Sequence, residues 1–129
     1  MDLGQRRIGL AIAEDFLVAS LDTIRVSDRQ DALTKILEIC RQERVEKIVL
    51  GLPKNKAESS EDMVRSFALE LNKYISLPIE FVDETLTSKE AERILREIKV
   101  DPRQEKYKKE IDRISAKLIL EQYLREINE

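Results

Sequence analysis

The sequence predicts an α/β protein in which a mixed sheet of about five strands is flanked by helices. Near the N-terminus, apolar residues alternate with small or polar ones, which is the two-residue period of a strand. Further along, short apolar runs alternate with longer segments whose apolar residues recur at helical spacing. Helices that separate strands in this way favour parallel pairing through right-handed crossovers.

The first half of the chain predicts two strands, a helix and another strand. Residues 7–13 form the first of these strands, and residues 17–25 return antiparallel to it after a turn near Glu14 and Asp15. Ser27 or Asp28 can cap a helix that runs to about Arg44. Its apolar face carries Leu33, Ile36, Leu37 and Cys40. The apolar run at residues 47–52 (KIVLGL) ends at a proline and is typical of a buried parallel strand.

The second half predicts a helix, a strand and two further helices. Ser59 or Ser60 can cap the first helix, whose apolar face carries Met63, Val64, Phe67 and Leu71. Residues 78–82 form a strand. Thr87 or Ser88 starts a helix to about Ile98, with Ala91, Ile94, Leu95 and Ile98 facing inward. A polar loop at residues 99–108 then precedes a last helix at residues 109–127. One more strand before Gly4 would complete the order β-β-β-α-β-α-β-α-α.

Composition restricts the chemistry that this protein can perform. At roughly 100–200 residues per domain, 129 residues predict a single domain over positions 1–129. The chain has no histidine and one cysteine, which excludes an imidazole general base and a typical structural zinc site. Its 26 acidic residues offer carboxylate oxygens, the ligands that Mg²⁺ or Mn²⁺ prefers. The sequence shows no apolar run of membrane-spanning length and no leader, so we expect a cytoplasmic protein without a membrane partner.

Acidic residues follow or begin several of the predicted elements. Sites in open α/β sheets lie beyond the carboxyl ends of the parallel strands. Asp2 lies at the start of the chain, Asp83 and Glu84 follow the strand at 78–82, and Asp112 shares a helix face with small residues. Acids that meet from separate elements can hold divalent cations, which activate water and stabilise a departing oxyanion. Alternatively, Asp83 and Glu84 form an acid pair at a helix N-terminus, and Asp112 pairs with Arg113 or a nearby lysine at the surface.

Four ordered blocks of sequence resemble a known family. They are DLGQRRIGLAIAED at residues 2–15, GLPKN at 51–55, VDETLTSKEAERIL at 82–95 and IDRISAKLILEQYL at 111–124. Together they resemble the YqgF/RuvX family, which comprises Holliday junction resolvase homologues and pre-16S rRNA nucleases. The blocks cover nearly the whole chain. The family usually has an apolar strand before DLG, an arginine at the position of Thr85 and an alanine at the position of Ser115.

The resemblance implies a ribonuclease H-like fold and metal-dependent phosphodiester hydrolysis. The catalytic, metal-binding acids carried over by position are Asp2, Glu84 and Asp112. The implied substrate is the 5′ end of 16S rRNA in the bacterial cytoplasm. Four further residues are expected to contact the substrate, namely Arg6, Arg7, Lys54 and Asn55.

Charge adds a second expected contact with nucleic acid. Basic residues outnumber acidic ones between Lys99 and Arg113, although the whole chain has a formal net charge of −3. We therefore expect contacts with phosphate from three lysines in the predicted loop and at the helix start, Lys106, Lys108 and Lys109. The alternative is an ordinary solvated charge run.

Other functions stay open on the sequence alone. The substrate is structured RNA or branched DNA, and the protein acts as a monomer or a homodimer. A resolvase of branched DNA would act as a symmetric dimer. The chain could instead be a catalytically impaired binding module. DLG followed by basic residues also resembles the phosphate loop of actin- and hexokinase-like ATPases, although those proteins place nucleotide between two such domains.

Overall fold

A computed structural model describes residues 1–3, 6–54, 58–98, 101 and 103–128. Its elements follow the predicted order, with a short strand before Gly4. The strands are β1 (Asp2–Leu3), β2 (Arg7–Glu14), β3 (Leu17–Arg25), β4 (Ile48–Leu52) and β5 (Ile79–Asp83). The helices are α1 (Arg29–Gln42), α2 (Glu58–Leu71), α3 (Thr85–Glu97) and α4 (Glu105–Ile127). Among the described residues, no helix is long and apolar enough to cross a bilayer.

The first three strands form an antiparallel meander, as predicted. β2 pairs with β3 along nearly its whole length, and β1 pairs with the start of β2, where Asp2 lies opposite Gly9. The turn between β2 and β3 falls at Asp15, whose φ of 55° is left-handed. Aspartate is among the non-glycine residues that adopt this conformation most readily.

β4 and β5 form a parallel pair joined through α2, also as predicted. The prediction of one continuous mixed sheet needs correction, because the five strands fall into a three-stranded and a two-stranded sheet. Within the described residues, two backbone hydrogen bonds connect the two sheets. The Met1 nitrogen donates to the Val49 carbonyl at 2.6 Å, and the Gly51 amide donates to the Met1 carbonyl at 3.1 Å. This is the pattern of a parallel ladder beside Leu50.

The helices bury the apolar faces that the sequence predicts. Leu33, Ile36 and Cys40 of α1 pack in the main core, as do Val64, Phe67 and Leu71 of α2. A second cluster joins β4 and β5 to α4 through Val49, Val82, Ile119 and Tyr123. The prediction that Ile98 faces inward is wrong: α3 ends at Glu97, and Ile98 is 59% exposed.

Helix starts account for the other corrections. Asp28 caps α1 as predicted, accepting from the Asp31 amide at 2.8 Å. α2, however, begins at Glu58, so Ser59 and Ser60 lie inside it. α3 begins at Thr85 rather than at residue 87 or 88. α4 begins at Glu105, four residues before the predicted start at 109. Polar side chains at these positions can cap a helix or continue it, and the local sequence does not distinguish the two.

Candidate active site

The candidate site lies where β1, the end of β5 and α4 come together. Asp2 is on β1, Glu84 directly follows β5, and Asp112 is in the second turn of α4. The charges of Glu84 and Asp112 both act on Asp2, and the side chain of Glu84 hydrogen-bonds to it. The structure therefore brings the three predicted acids together from distant parts of the sequence.

Gly9 allows α4 to approach the sheet at Asp112. A Cβ atom at Gly9 would lie 2.0 Å from the backbone oxygen of Asp112 and 2.5 Å from its carbonyl carbon. No side chain fits at that distance, since even methyl contacts require more than 3 Å. Because Gly9 is also the strand partner of Asp2, the contact sets Asp112 over the strand position beside Asp2. The small residue on β2 thus determines where the helix carboxylate lies.

Gly51 makes the corresponding space for Glu84. A Cβ atom at Gly51 would lie 2.6 Å from Oε2 of Glu84 and 2.6 Å from Cδ1 of Ile119. The Leu52 carbonyl accepts from the Glu84 amide at 3.0 Å and from the Lys54 amide at 2.9 Å, which ties the ends of β4 and β5 together. Glu84 is 5% exposed, whereas its neighbour Asp83 is exposed. Burial therefore distinguishes between the two acids that follow β5.

Glu84 is the N-cap residue of α3 but makes no side-chain capping bond. Its side chain bonds Asp2 instead. An acid at a helix N-terminus is favoured by the helix dipole, so the position stabilises the charge that the site concentrates. The alternative of a simple helix-terminal acid pair describes the backbone position of Glu84 but not the direction of its side chain.

Burial and nearby negative charge both perturb Asp2. Burial, followed by the charges of Glu84 and Asp112, raises the pKa of Asp2 from its ordinary value of 3.8 to about 7. Like charges that meet in a partly buried place disfavour ionisation of at least one of them. A bound cation would reverse that effect, because it favours the ionised carboxylates. Perturbed acids of this kind are typical of functional sites.

Asp112 has a specific partner that the sequence analysis did not predict. Arg7 Nε donates to Oδ2 of Asp112 at 2.9 Å, and both side chains are largely buried. The structure places Arg113, the surface partner considered as an alternative, beside Glu110 at 3.9 Å. Asp112 is therefore held between a cation on β2 and the other acids.

The residues fit a divalent metal in their chemistry. Three carboxylates from three elements form a hard-oxygen donor set, which suits Mg²⁺ or Mn²⁺. The carboxylate of Glu84 occupies the space left by Gly51. A larger residue at position 51 would displace this carboxylate. Within the described residues, no three acidic or cysteine side chains are arranged to enclose an ion. Arg7 contacts Asp112 through Oδ2, and an ionised carboxylate has enough acceptor positions to keep that bond and also ligate a cation.

The expected substrate-binding residues lie in different surroundings. Arg6 is exposed, and Asn55 lies outside the described residues. Lys54 is exposed and contacts Glu61 of α2 at 2.9 Å, a carboxylate that Arg65 shares. The three lysines expected in a loop are exposed as predicted, but they belong to the first turns of α4. They are Lys106, Lys108 and Lys109.

Sequence reasoning missed three features of the site. It gave Gly9 and Gly51 no role at the site. It also missed Arg25 and Glu105, which contact each other beside Arg7. The signal available in the sequence was the small residues at Gly9 and Gly51, because a glycine inside a strand indicates close approach of another segment.

The chain is similar to two proteins named "Putative pre-16S rRNA nuclease", from Roseiflexus sp. and Chloroflexus aurantiacus. It is 37% identical to the first over 96% of this chain and 90% of that protein. It is 36% identical to the second over 96% of this chain and 83% of that protein.

A solved structure and a family model complete the comparison. The fold matches T. thermophilus RuvC in complex with Holliday junction substrate, with a TM-score of 0.55 and 13% identity over 95% of this chain and 96% of that one. This likeness confirms the predicted ribonuclease H-like fold. The family model described as RuvX, Holliday junction resolvase, matches residues 1–126. The chain therefore belongs to the RuvX family.

Proposed function

We propose that this protein is a metal-dependent endonuclease that hydrolyses phosphodiester bonds at the site formed by Asp2, Glu84 and Asp112. The observation that carries the proposal is the convergence of these acids from β1, the end of β5 and α4, with the pKa of Asp2 raised by burial and by the charges of the other two. A cluster of carboxylates with no cation would repel a polyanion. A divalent cation bound by the carboxylates would remove this repulsion between the site and its substrate.

Each residue has a distinct part in this proposal. Asp2, Glu84 and Asp112 would hold Mg²⁺ or Mn²⁺, and the bound ion would supply charge neutralisation and activation of water at the phosphorus. Glu84 is fixed by burial and by the backbone bond to Leu52. Arg7 orients Asp112 before the cation binds. Arg6, Lys54 and Asn55 would contact the nucleic acid around the site, together with the exposed lysines of α4.

The substrate we propose is the 5′ end of pre-16S rRNA, processed in the cytoplasm during ribosome biogenesis. The names of the relatives support this choice, since those proteins align over most of both chains. The protein would act on structured RNA as a monomer or a homodimer. No part of the proposal requires a membrane.

Cleavage of branched DNA is a second candidate. The matched family is described as Holliday junction resolvase, and the fold resembles RuvC bound to a Holliday junction. A third candidate is a binding module with impaired catalysis, favoured by the contact that holds Asp112 on Arg7. These candidates differ in substrate shape and in turnover rather than in fold.

One experiment separates the candidates. The purified protein is incubated with a pre-16S rRNA fragment and, in parallel, with a four-way DNA junction, each with Mg²⁺, with Mn²⁺ and with chelator. We expect metal-dependent cleavage of the RNA, lost by orders of magnitude in Glu84→Gln and retained in Asp22→Asn, an exposed residue of β3. Preferred cleavage of the junction would select the resolvase. Binding without cleavage in any metal would select the impaired module.

A further inference from the structure

Two arginines meet at one end of the β2–β3 pair. Arg7 and Arg25 are direct partners across the two strands. Like charges opposite each other destabilise a strand pair unless an anion lies between them. Here a carboxylate of α4 does so: Arg25 Nη2 and Arg7 Nη1 both face Oε1 of Glu105, the latter at 3.8 Å. A single carboxylate oxygen therefore serves two guanidinium groups.

The arginine pair is continuous with the candidate active site. Arg7 also donates to Asp112 at 2.9 Å, so one side chain connects the acids with the pair. The outer part of the pair is open to large ligands, because the side chain of Arg25 is 66% exposed and that of Glu105 is 47% exposed. A strand held at the acids would pass beside Arg25.

The surroundings also favour an anion at this position. Glu105 is in the first turn of α4, a helix of 23 residues whose N-cap Gln104 makes no side-chain capping bond. Helix N-termini attract anions through their free amides and dipole. Arg25 above all, with Arg7 and Lys108, lowers the pKa of Glu105 and so favours its charged form.

We propose that Arg7 and Arg25 form a binding site for a backbone phosphate of the nucleic-acid strand, and that Glu105 occupies this site while no nucleic acid is bound. The inference rests on the proposed nuclease function and adds a subsite to it. A carboxylate and a phosphodiester both carry one negative charge and two acceptor oxygens, so one can replace the other without a change in charge balance. Arginine matches both groups in geometry.

Exchange of the two anions would cost little. Ion pairs between exposed side chains contribute weakly to stability and are screened by salt. A polyanion that gains several contacts at once can therefore displace Glu105. The released Glu105 side chain would then face solvent.

The test uses two substitutions that break the same ion pair from opposite sides. Binding of a fluorescently labelled RNA hairpin with a single-stranded extension is measured by anisotropy at several salt concentrations, with Ca²⁺ in place of Mg²⁺. Arg25→Gln removes a phosphate ligand, so we expect roughly three- to tenfold weaker binding and a salt slope smaller by roughly 0.7–0.9. Glu105→Gln removes the competing anion, so we expect roughly three- to tenfold tighter binding.

A matched pair on α3 provides the control. Arg93 contacts Glu97 at 2.7 Å on the surface of α3. In the sequence, both residues are at least nine positions from Asp2, Glu84 and Asp112. Arg93→Gln and Glu97→Gln are expected to leave RNA affinity within about twofold of wild type. Melting curves confirm that all four variants fold.

The phosphate site predicts changes in RNA affinity of opposite sign for Arg25→Gln and Glu105→Gln. If Arg25 and Glu105 had only a structural role, both substitutions would shift affinity in the same direction, and that result, or no shift in either, overturns the phosphate site. Cleavage by the wild type with Mn²⁺ is measured in parallel. Cleavage with no divergence of the variants refutes the subsite alone, whereas divergence without cleavage refutes the nuclease and leaves the phosphate site. A wild type that neither binds nor cleaves RNA or a DNA junction refutes both.

Discussion

Asp2→Asn tests the electrostatic design of the site directly. In the metal-free protein the pKa of Asp2 is raised from 3.8 to about 7, so the folded state holds a proton that the unfolded state releases. Stability contributed by this group therefore falls as pH rises from about 4 to about 7, and it stays low above that range. Asparagine carries no such proton. We expect the variant to lack this fall in stability.

The size of the effect follows from the interval between the two pKa values. The difference between 3.8 and about 7 corresponds to about 4 kcal/mol at full effect. Asp2 is only partly buried, so solvent screening reduces this value, and we expect a net gain of about 1–3 kcal/mol at pH 8. For a chain of this length, that gain is a rise in Tm of roughly 3–12 °C. At pH 4 the two proteins should melt within about 2 °C of each other.

Thermal unfolding with chelator, from pH 4 to pH 8, measures this difference. The series is repeated with Mg²⁺ and with Mn²⁺, where the wild type gains stability by mass action and Asp2→Asn gains less. Asp22→Asn, on the exposed side of β3, serves as the control for loss of one carboxylate. Parallel pH curves for wild type and Asp2→Asn would refute the reasoning, as would an equal response of the two proteins to both metals.

Three further predictions concern glycines, a buried hydroxyl and charge. Gly9→Ala should lower the free energy of unfolding by more than about 2 kcal/mol, because its Cβ would overlap the α4 backbone. Gly51→Ala should lower it by only about 1 kcal/mol, but it should displace Glu84 and reduce cleavage at least tenfold. Denaturant titration beside a cleavage assay checks both, and an inactive Gly9→Ala of normal stability would contradict the packing argument. Ser115→Ala should raise the free energy of unfolding by roughly 1 kcal/mol, since the Ser115 hydroxyl is buried with no hydrogen-bond partner among the described residues; a loss of stability would reveal a missing partner. Replacing three exposed lysines by glutamate should weaken RNA binding and flatten its salt dependence, and unchanged binding at low salt would remove them from the interface: Lys106, Lys108 and Lys109.

Part of the candidate site could be predicted from the sequence. The order of strands and helices places acids after β5 and in the N-terminal part of the last helix, and four motifs identify the family blocks that contain them. The sequence could not select Glu84 over Asp83 on physical grounds. Burial makes that selection, because the Gly51 position leaves room for one carboxylate.

The sequence by itself determined the α/β class, the order of the elements and most apolar faces of the helices, because hydrophobic periodicity is a property of neighbouring residues. It did not determine where α4 begins, since polar residues permit either a turn or a helix there. Only the tertiary structure decided that Arg7 would hold Asp112 and that Arg25 would contact Glu105. The first pair is separated by 105 positions in the sequence and the second by 80. Such contacts depend on how closely α4 docks across β2 and β3, and that distance is set by packing at Gly9 rather than by any local pattern.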